Sequence, residues 1–244
     1  MSEPPWAAVD EFLESHLLES DPILDACLRS SEAAQLPSIQ VSPTQGKFLY
    51  LLTKLVGARR VLEVGTLGGY SATWLARALP EDGKLVTLEL NPKHAEVART
   101  NLARAGLADR VEIRLGPALE LLPKLVEEGS GPFDFVFLDA DKPNTRAYFD
   151  WALKLTRPGS LIVVDNVVRK GELANAASAD ANVRGMRELV TALATEHRVS
   201  ATGIQTVGVK GYDGFLLARV EGRGPSPTAS GRTAAPGTRP KRAA

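Results

Sequence analysis

The chain has 244 residues, 44% of them apolar and 24% charged, with 29 basic and 29 acidic groups that cancel, which fits one large domain with a full buried core. No apolar run approaches the roughly 20 residues that span a bilayer, and the opening MSEPPWAAVDEFLES is acidic where a secretory signal is basic and then apolar, so a cytoplasmic protein without membrane contact is expected. The single cysteine, Cys27, excludes an internal disulfide framework and a cysteine-rich zinc site, and its apolar helical surroundings mark it as a small core residue.

From residue 7 to about 35 the pattern is helical, with Val9, Phe12, Leu13 and Leu17 on one face. Asp21 then serves as an N-cap and Pro22 as the first position of a second helix. QLPSIQVSP is irregular, and TQGKFLYLLTKLVGA resumes a helix that stops at Gly57. These N-terminal helices, residues 1–57, lead into an alternating pattern. RRVLEV (59–64) reads as a strand, GYSATWLARAL (69–79) as a helix, KLVTLEL (84–90) as a strand and PKHAEVARTNLARAG (92–106) as a helix closed by glycine. RVEIRL (110–115) is a third strand, followed by ALELLPKLVEE, a helix interrupted by Pro123. FDFVFLD (133–139) is a fourth strand, TRAYFDWALKL a helix, and GSLIVVD (159–165) a fifth strand. Such a β-α repeat builds a mostly parallel sheet with helices on both faces. After a polar loop comes the helix VRGMRELVTALATEH. The strands RVSATGIQ and DGFLLARV follow, and the short VGVKGY connection pairs them antiparallel.

The tail, residues 222–244, carries five Lys or Arg and no acid, and lacks any large apolar residue. It is expected to be disordered. Residues 1–221, read as a single domain, are left with 24 basic and 29 acidic groups, a net charge of −5. That body is a poor nucleic-acid binder and is compatible with a cation site.

In an open parallel sheet ligands lie beyond the carboxyl ends of the strands. Here those ends carry the polar residues: Glu63 to Ser71 after the first strand, Glu89 at the second, Asp139, Asp141 and Lys142 at the fourth, and Asp165 with Asn166 at the fifth. Gly65, Gly68 and Gly69 allow a tight turn and a close backbone approach to a ligand at a helix N-terminus. They do not spell the dinucleotide fingerprint, because Leu67 and Tyr70 stand where it needs glycine. Glu63 facing the turn would repel a pyrophosphate and suit a cationic ligand, and Glu89 is placed to accept hydrogen bonds from ribose hydroxyls. The combination favours an adenosine-bearing cofactor without phosphates, and S-adenosylmethionine fits.

Asp139, Asp165 and Asn166 offer hard oxygen ligands suited to Mg²⁺ or a similar ion. Three buried polar side chains without a cation would be costly. Lys142, three residues after Asp139, can reach over such an ion, and a like charge beside it disfavours protonation, which makes it a candidate general base. His16, His94 and His197 fall on predicted helices or their ends, away from this edge.

The runs LEVGTLGGYSATWLA, VTLELNP, GPAL, LDADK and VVDN, in this order over residues 38–220, resemble the cation-dependent O-methyltransferases, the family of catechol and caffeoyl-coenzyme A O-methyltransferases. The small bacterial members are the nearest in pattern. The resemblance implies a Rossmann-like class I methyltransferase fold of the α/β class, with a seven-stranded sheet in the order 3-2-1-4-5-7-6. It implies S-adenosylmethionine contacts from Val41, Glu63, Gly65, Thr66, Ser71, Glu89, Ala118 and Asp141, metal ligation by Asp139, Asp165 and Asn166, and Lys142 as the base. It also implies a homodimer and, as substrate, a small phenol with a vicinal diol. The family pattern leaves acceptor choice to the N-terminal helices and to the loop VVRKGELANAASADAN, where Arg169 and Lys170 stand. Two other classes share parts of the pattern. A nucleotide-dependent oxidoreductase shares the sheet and Glu89 but lacks the fingerprint, and a catalytically idle cofactor-binding protein would have no need of the acids and lysine kept here.

Overall fold

The structure is a computed structural model and describes residues 5–221; the 222–244 tail lies outside the described residues. Three helices come first: α1 (Pro5–Leu17), α2 (Pro22–Ala33) and α3 (Pro43–Leu55). Asp21 caps α2 as expected, its Oδ1 accepting the Ile23 and Leu24 N–H groups at 3.1 Å with Pro22 in the first turn. Then follow β1 (Arg60–Val64), α4 (Tyr70–Ala78), β2 (Lys84–Glu89), α5 (Pro92–Arg104), β3 (Val111–Leu115), α6 (Ala118–Glu127) and β4 (Phe133–Leu138). The described residues end with α7 (Thr145–Lys154), β5 (Thr156–Asp165), α8 (Ala181–Leu193), β6 (Val199–Gly208) and β7 (Gly211–Val220).

The seven strands form one sheet in the order β3-β2-β1-β4-β5-β7-β6, as the family resemblance implies. The first five run parallel, and β7 is antiparallel to both β5 and β6. The parallel strands are sealed on both faces. Leu62, Val64, Val86, Leu88, Val136, Leu138, Ile162 and Val164 meet α6, α7 and α8 through Leu122, Leu125, Phe149, Met186 and Leu189. Val61, Leu85, Phe135, Phe137 and Val163 pack on the other side with Cys27, Leu49, Leu75, Leu79 and Leu102 from the remaining helices. The period-two alternation thus divides each near-continuous apolar run between two cores. Cys27 is buried among them, and burial pushes its thiol up to about 12.

Four details depart from the sequence-based expectation. α6 continues through Pro123; the carbonyl that loses its partner belongs to Leu119, which is exposed enough to bond water. The β6–β7 connection is two residues, Val209 and Lys210, because both strands run on to Gly208 and Gly211. The β5 strand starts at Thr156, ahead of the predicted Gly159, through a pairing with Phe133 that a register shift separates from the rest. The apolar face of α1 is not buried: Val9, Phe12 and Leu17 are 55%, 59% and 69% exposed. Among the described residues no helix is long and apolar enough to cross a membrane.

Register aligns the chemistry. Val64 pairs with Leu88 and with Leu138, and Leu138 pairs with Val164. The next residue of each strand therefore emerges on one line at the carboxyl edge: Gly65, Glu89, Asp139 and Asp165.

Candidate active site

A cavity of about 700 Å³ opens at this edge, a size suited to a cofactor with a small second ligand. Val41, Gly65, Thr66, Ser71, Glu89, Ala118, Asp139, Asp141, Lys142 and Asn166 all line it. Two sequence-predicted residues do not. Glu63 lies fully buried beneath the cavity, where its carboxyl accepts hydrogen bonds from Ser71 Oγ and Thr87 Oγ1, both at 2.6 Å. Burial pushes it up to about 8 against the opposing effect of those two bonds. It steadies Ser71 from below, which corrects the expectation that Glu63 faces the ligand. Asp165 stands between this cavity and a second one of about 260 Å³, whose wall it shares with Asn166, Gln45, Phe48 and Phe215.

The β1–α4 turn owes its shape to glycine and to Glu89. Gly65 has φ +103°, and a Cβ there would stand 2.8 Å from the Asp139 carbonyl carbon and closer still to its oxygen. Only glycine lets β1 turn this close to β4. Glu89 Oε2 accepts the backbone N–H groups of Thr66 at 3.2 Å and Leu67 at 2.8 Å, and Oε1 accepts that of Asn91 at 2.8 Å. Glu89 therefore pins the turn, and keeps spare acceptor capacity on Oε1.

Lys142 and the acids meet at the ends of β4 and β5. Lys142 sits in a short 3-10 turn, Lys142–Asn144, is 7% exposed, and donates from Nζ to Asp139 Oδ1 at 2.6 Å. Asp165 is 5% exposed; its Oδ2 accepts from Gln45 Nε2 at 2.8 Å and its Oδ1 from the Asn166 N–H at 2.7 Å. Burial, then the negative charge of Asp139, pushes Asp165 up to about 7. Two carboxylates crowd a region with one lysine to balance them, and the amide of Asn166, whose backbone is left-handed at φ +57°, stands beside them. This oxygen donor set fits a hard divalent cation, whose charge would relieve the repulsion. Among the described residues no group of three or more His, Cys, Asp or Glu forms a metal cluster; the set here is two carboxylates and an amide. Asp141 is engaged by its own neighbours, accepting from Asn144 Nδ2 at 2.6 Å and from the Tyr148 hydroxyl.

Sequence reasoning missed three participants. His94 was expected away from the site; it lines the cavity with Nδ1 3.4 Å from Glu89 Oε1, because α5 follows β2 after two residues and its first turn folds back over the strand end. His16 and His197 do lie elsewhere. Tyr148, on α7, had no local signal. Gln45 reaches Asp165 across 120 residues of chain, a contact visible only in the fold.

The model of a family described as O-methyltransferase matches residues 14–220. A catechol O-methyltransferase of Mycobacterium tuberculosis is 56% identical over 218 residues, which cover 89% of this chain and 97% of that protein. One from Niastella koreensis is 50% identical over 221 residues, 91% of this chain and all of the relative. Among solved structures, an O-methyltransferase from Bacillus cereus in complex with SAH superposes with a TM-score of 0.88 at 54% identity, covering 89% of this chain and 99% of that one. An O-methyltransferase from Streptomyces achromogenes involved in tomaymycin synthesis, in complex with SAM, gives 0.88 at 50% identity over 91% of this chain and all of that one.

Proposed function

This chain belongs to the O-methyltransferase family and is an S-adenosylmethionine-dependent O-methyltransferase, and on that premise we propose that it methylates one hydroxyl of a catechol-like vicinal diol held on a divalent cation, most simply Mg²⁺. The observation that carries this reading is the meeting of Asp139, Lys142 and Asn166 in the same cavity as the Gly65 turn and Glu89, with Asp165 directly behind. When bound, the cofactor supplies an electrophilic methyl group on a sulfonium, and the cation supplies Lewis acidity to the two diol oxygens.

The protein's part is orientation and proton management. Asp139, Asp165 and Asn166 hold the cation, and Gln45 fixes the direction of Asp165 through its 2.8 Å bond. Lys142 Nζ, positioned by Asp139, is the group that receives the hydroxyl proton. Val41, Gly65, Thr66, Ser71, Glu89, Ala118 and Asp141 bind the cofactor, with Glu63 acting through Ser71. Much of the acceleration comes from holding oxygen and methyl in line, since two bound partners replace a bimolecular encounter. The enzyme works as a homodimer: apolar side chains exposed on α1 and the open edge of β6, where Ile204 and Val207 are exposed, support pairing with a second copy.

The test is methyl transfer from labelled S-adenosylmethionine to 1,2-diphenols and to their single-hydroxyl analogues. Transfer confined to the diols is expected. Equal transfer to the monophenols would remove the two-oxygen mode of binding from the account.

A further inference from the structure

The loop after β5 carries two adjacent cations, Arg169 and Lys170, and the structure separates them. Lys170 is exposed. Arg169 is partly buried and lines the 700 Å³ cavity beside Asn166 and Asn182. Its Nε is shielded from solvent and has no hydrogen-bond partner, and no ion pair among the described residues includes it. The unmatched Nε is a standing cost, and Arg169 reaches the cavity wall through the rest of its side chain.

The loop is held in place to present it. Val167 and Val168 are buried in the core, and Asp213 Oδ1, on β7, accepts the backbone N–H groups of Val168 at 3.0 Å and Arg169 at 2.9 Å. Arg169 and Lys170 both adopt left-handed backbone, φ +53° and +57°, a conformation that L side chains hold only where the surroundings enforce it. A solvated loop would relax out of this geometry.

Position in the sheet indicates which ligand Arg169 meets. The cofactor side of the cavity is the turn after β1 and Glu89 at the end of β2, whereas Arg169 follows β5, three strands from β2 in the sheet order. At about 4.8 Å per strand, that places the β5 end, with Asp165, roughly 14 Å from Glu89 and on the far side of Asp139. Asp139 and Asp165 face the proposed cation and Lys142, and Asp180, whose carboxyl is held down first by hydrogen bonds from Asn182 and then by the charge of Arg169, makes no ion pair with it among the described residues.

Resting on the proposed diol reading, we propose that Arg169 is a specificity residue that binds a carboxylate on the acceptor, so that the preferred substrate is a vicinal dihydroxyaryl carboxylate. The planar fork of arginine suits a carboxylate through two parallel N–H···O bonds.

The experiment compares 3,4-dihydroxybenzoate with its methyl ester on the purified full-length protein with Mg²⁺ and S-adenosylmethionine. The ratio of kcat/KM, acid over ester, is expected to be about tenfold to a hundredfold, the range for a hydrogen bond to a charged group. Arg169→Gln is expected to bring that ratio to near one without changing KM for S-adenosylmethionine, and Arg169→Lys to recover part of the preference. Far-ultraviolet circular dichroism and melting curves report whether each variant is folded. A wild-type ratio near one, or a ratio untouched by Arg169→Gln, overturns the proposal. A rise in KM for the cofactor instead would reassign Arg169 to the cofactor carboxylate and overturn it equally. Transfer to neither compound would refute the diol reading along with this one, whereas brisk transfer to both without preference refutes this one alone.

Discussion

Replacing Gly65 by alanine strikes the point where β1 turns against β4, and two costs can be worked from the geometry. The residue has φ +103°, and left-handed backbone costs an L residue about 1–2 kcal/mol. The new methyl would stand 2.8 Å from the Asp139 carbonyl carbon, where the obstacle is backbone in a buried strand end, and overpacking of this kind costs about 1–3 kcal/mol. Together they amount to about 2–5 kcal/mol, which for a domain of this size lowers Tm by about 4–20 °C. Because the displaced group is the backbone of Asp139, the Mg²⁺ concentration needed for half-maximal activity should rise as well. Gly57→Ala is the control: it shares positive φ at +61° but has no atom within 4 Å of a Cβ, so only the backbone cost applies. Differential scanning calorimetry with Mg²⁺-activation curves on both variants makes the comparison. Equal melting shifts for the two, with metal activation unchanged in Gly65→Ala, would refute the steric coupling between the glycine turn and Asp139, the proposed metal ligand.

Lys142→Ala should lower kcat by about 10²–10⁴-fold, the usual contribution of a positioned base, while cofactor affinity by calorimetry stays within about twofold; an equal loss of both would remove the base assignment. Gln45→Leu should weaken Mg²⁺ activation by about 10–100-fold, as loss of an outer hydrogen bond to a ligand does, and unchanged activation would show that Asp165 needs no orienting partner. Glu63 makes stability depend on pH. Its folded value, about 8, lies above the unfolded value of 4.5, so its contribution is fully present below pH 4.5 and is lost as pH rises through 8. Urea unfolding of cofactor-free protein at pH 5 and pH 8 should show a decline on the order of a few kcal/mol that shrinks in Glu63→Gln, and parallel curves for the two proteins would contradict the burial assigned to this group.

The sheet was legible because its parallel strands are buried on both faces, so VLEV, LVTLE, FDFVFL and LIVVD stand out as short continuous apolar runs. The site was legible for the complementary reason: Asp139 and Asp165 break such runs at their carboxyl ends, where a buried charge needs a partner. What escaped notice depends on contacts the local pattern does not encode. Gln45 and Asp165 are 120 residues apart, and α3 announces its core face but not which polar residue it turns toward β5. Glu89 ends β2 whereas Glu63 stands one residue before the end of β1 and pairs with Thr87, and only the register shows that this puts one on the wall and the other under the floor. His94 looked like a surface helix residue because nothing local says that the first turn of α5 lies over Glu89. The four apolar residues of α1 share one face, yet the helix lies at the rim against α3 and the edge strand β6 and leaves them exposed. In β6 the small and polar run VSATGIQTVG gives no burial signal, since as an edge strand it is almost wholly exposed, so its extension to Gly208 and the two-residue turn had no sequence mark.

The central claim, transfer onto a diol held by a cation between Asp139, Asp165 and Asn166, is tested most directly by metal removal and return. Protein stripped with excess chelator and dialysed would be assayed with S-adenosylmethionine and a 1,2-diphenol while Mg²⁺ is titrated back, alongside Asp165→Asn. No transfer is expected without the metal, with recovery to full rate on its return and a large shift to higher Mg²⁺ in the variant. Full activity in the stripped protein, with Asp165→Asn indistinguishable from wild type, would contradict the claim.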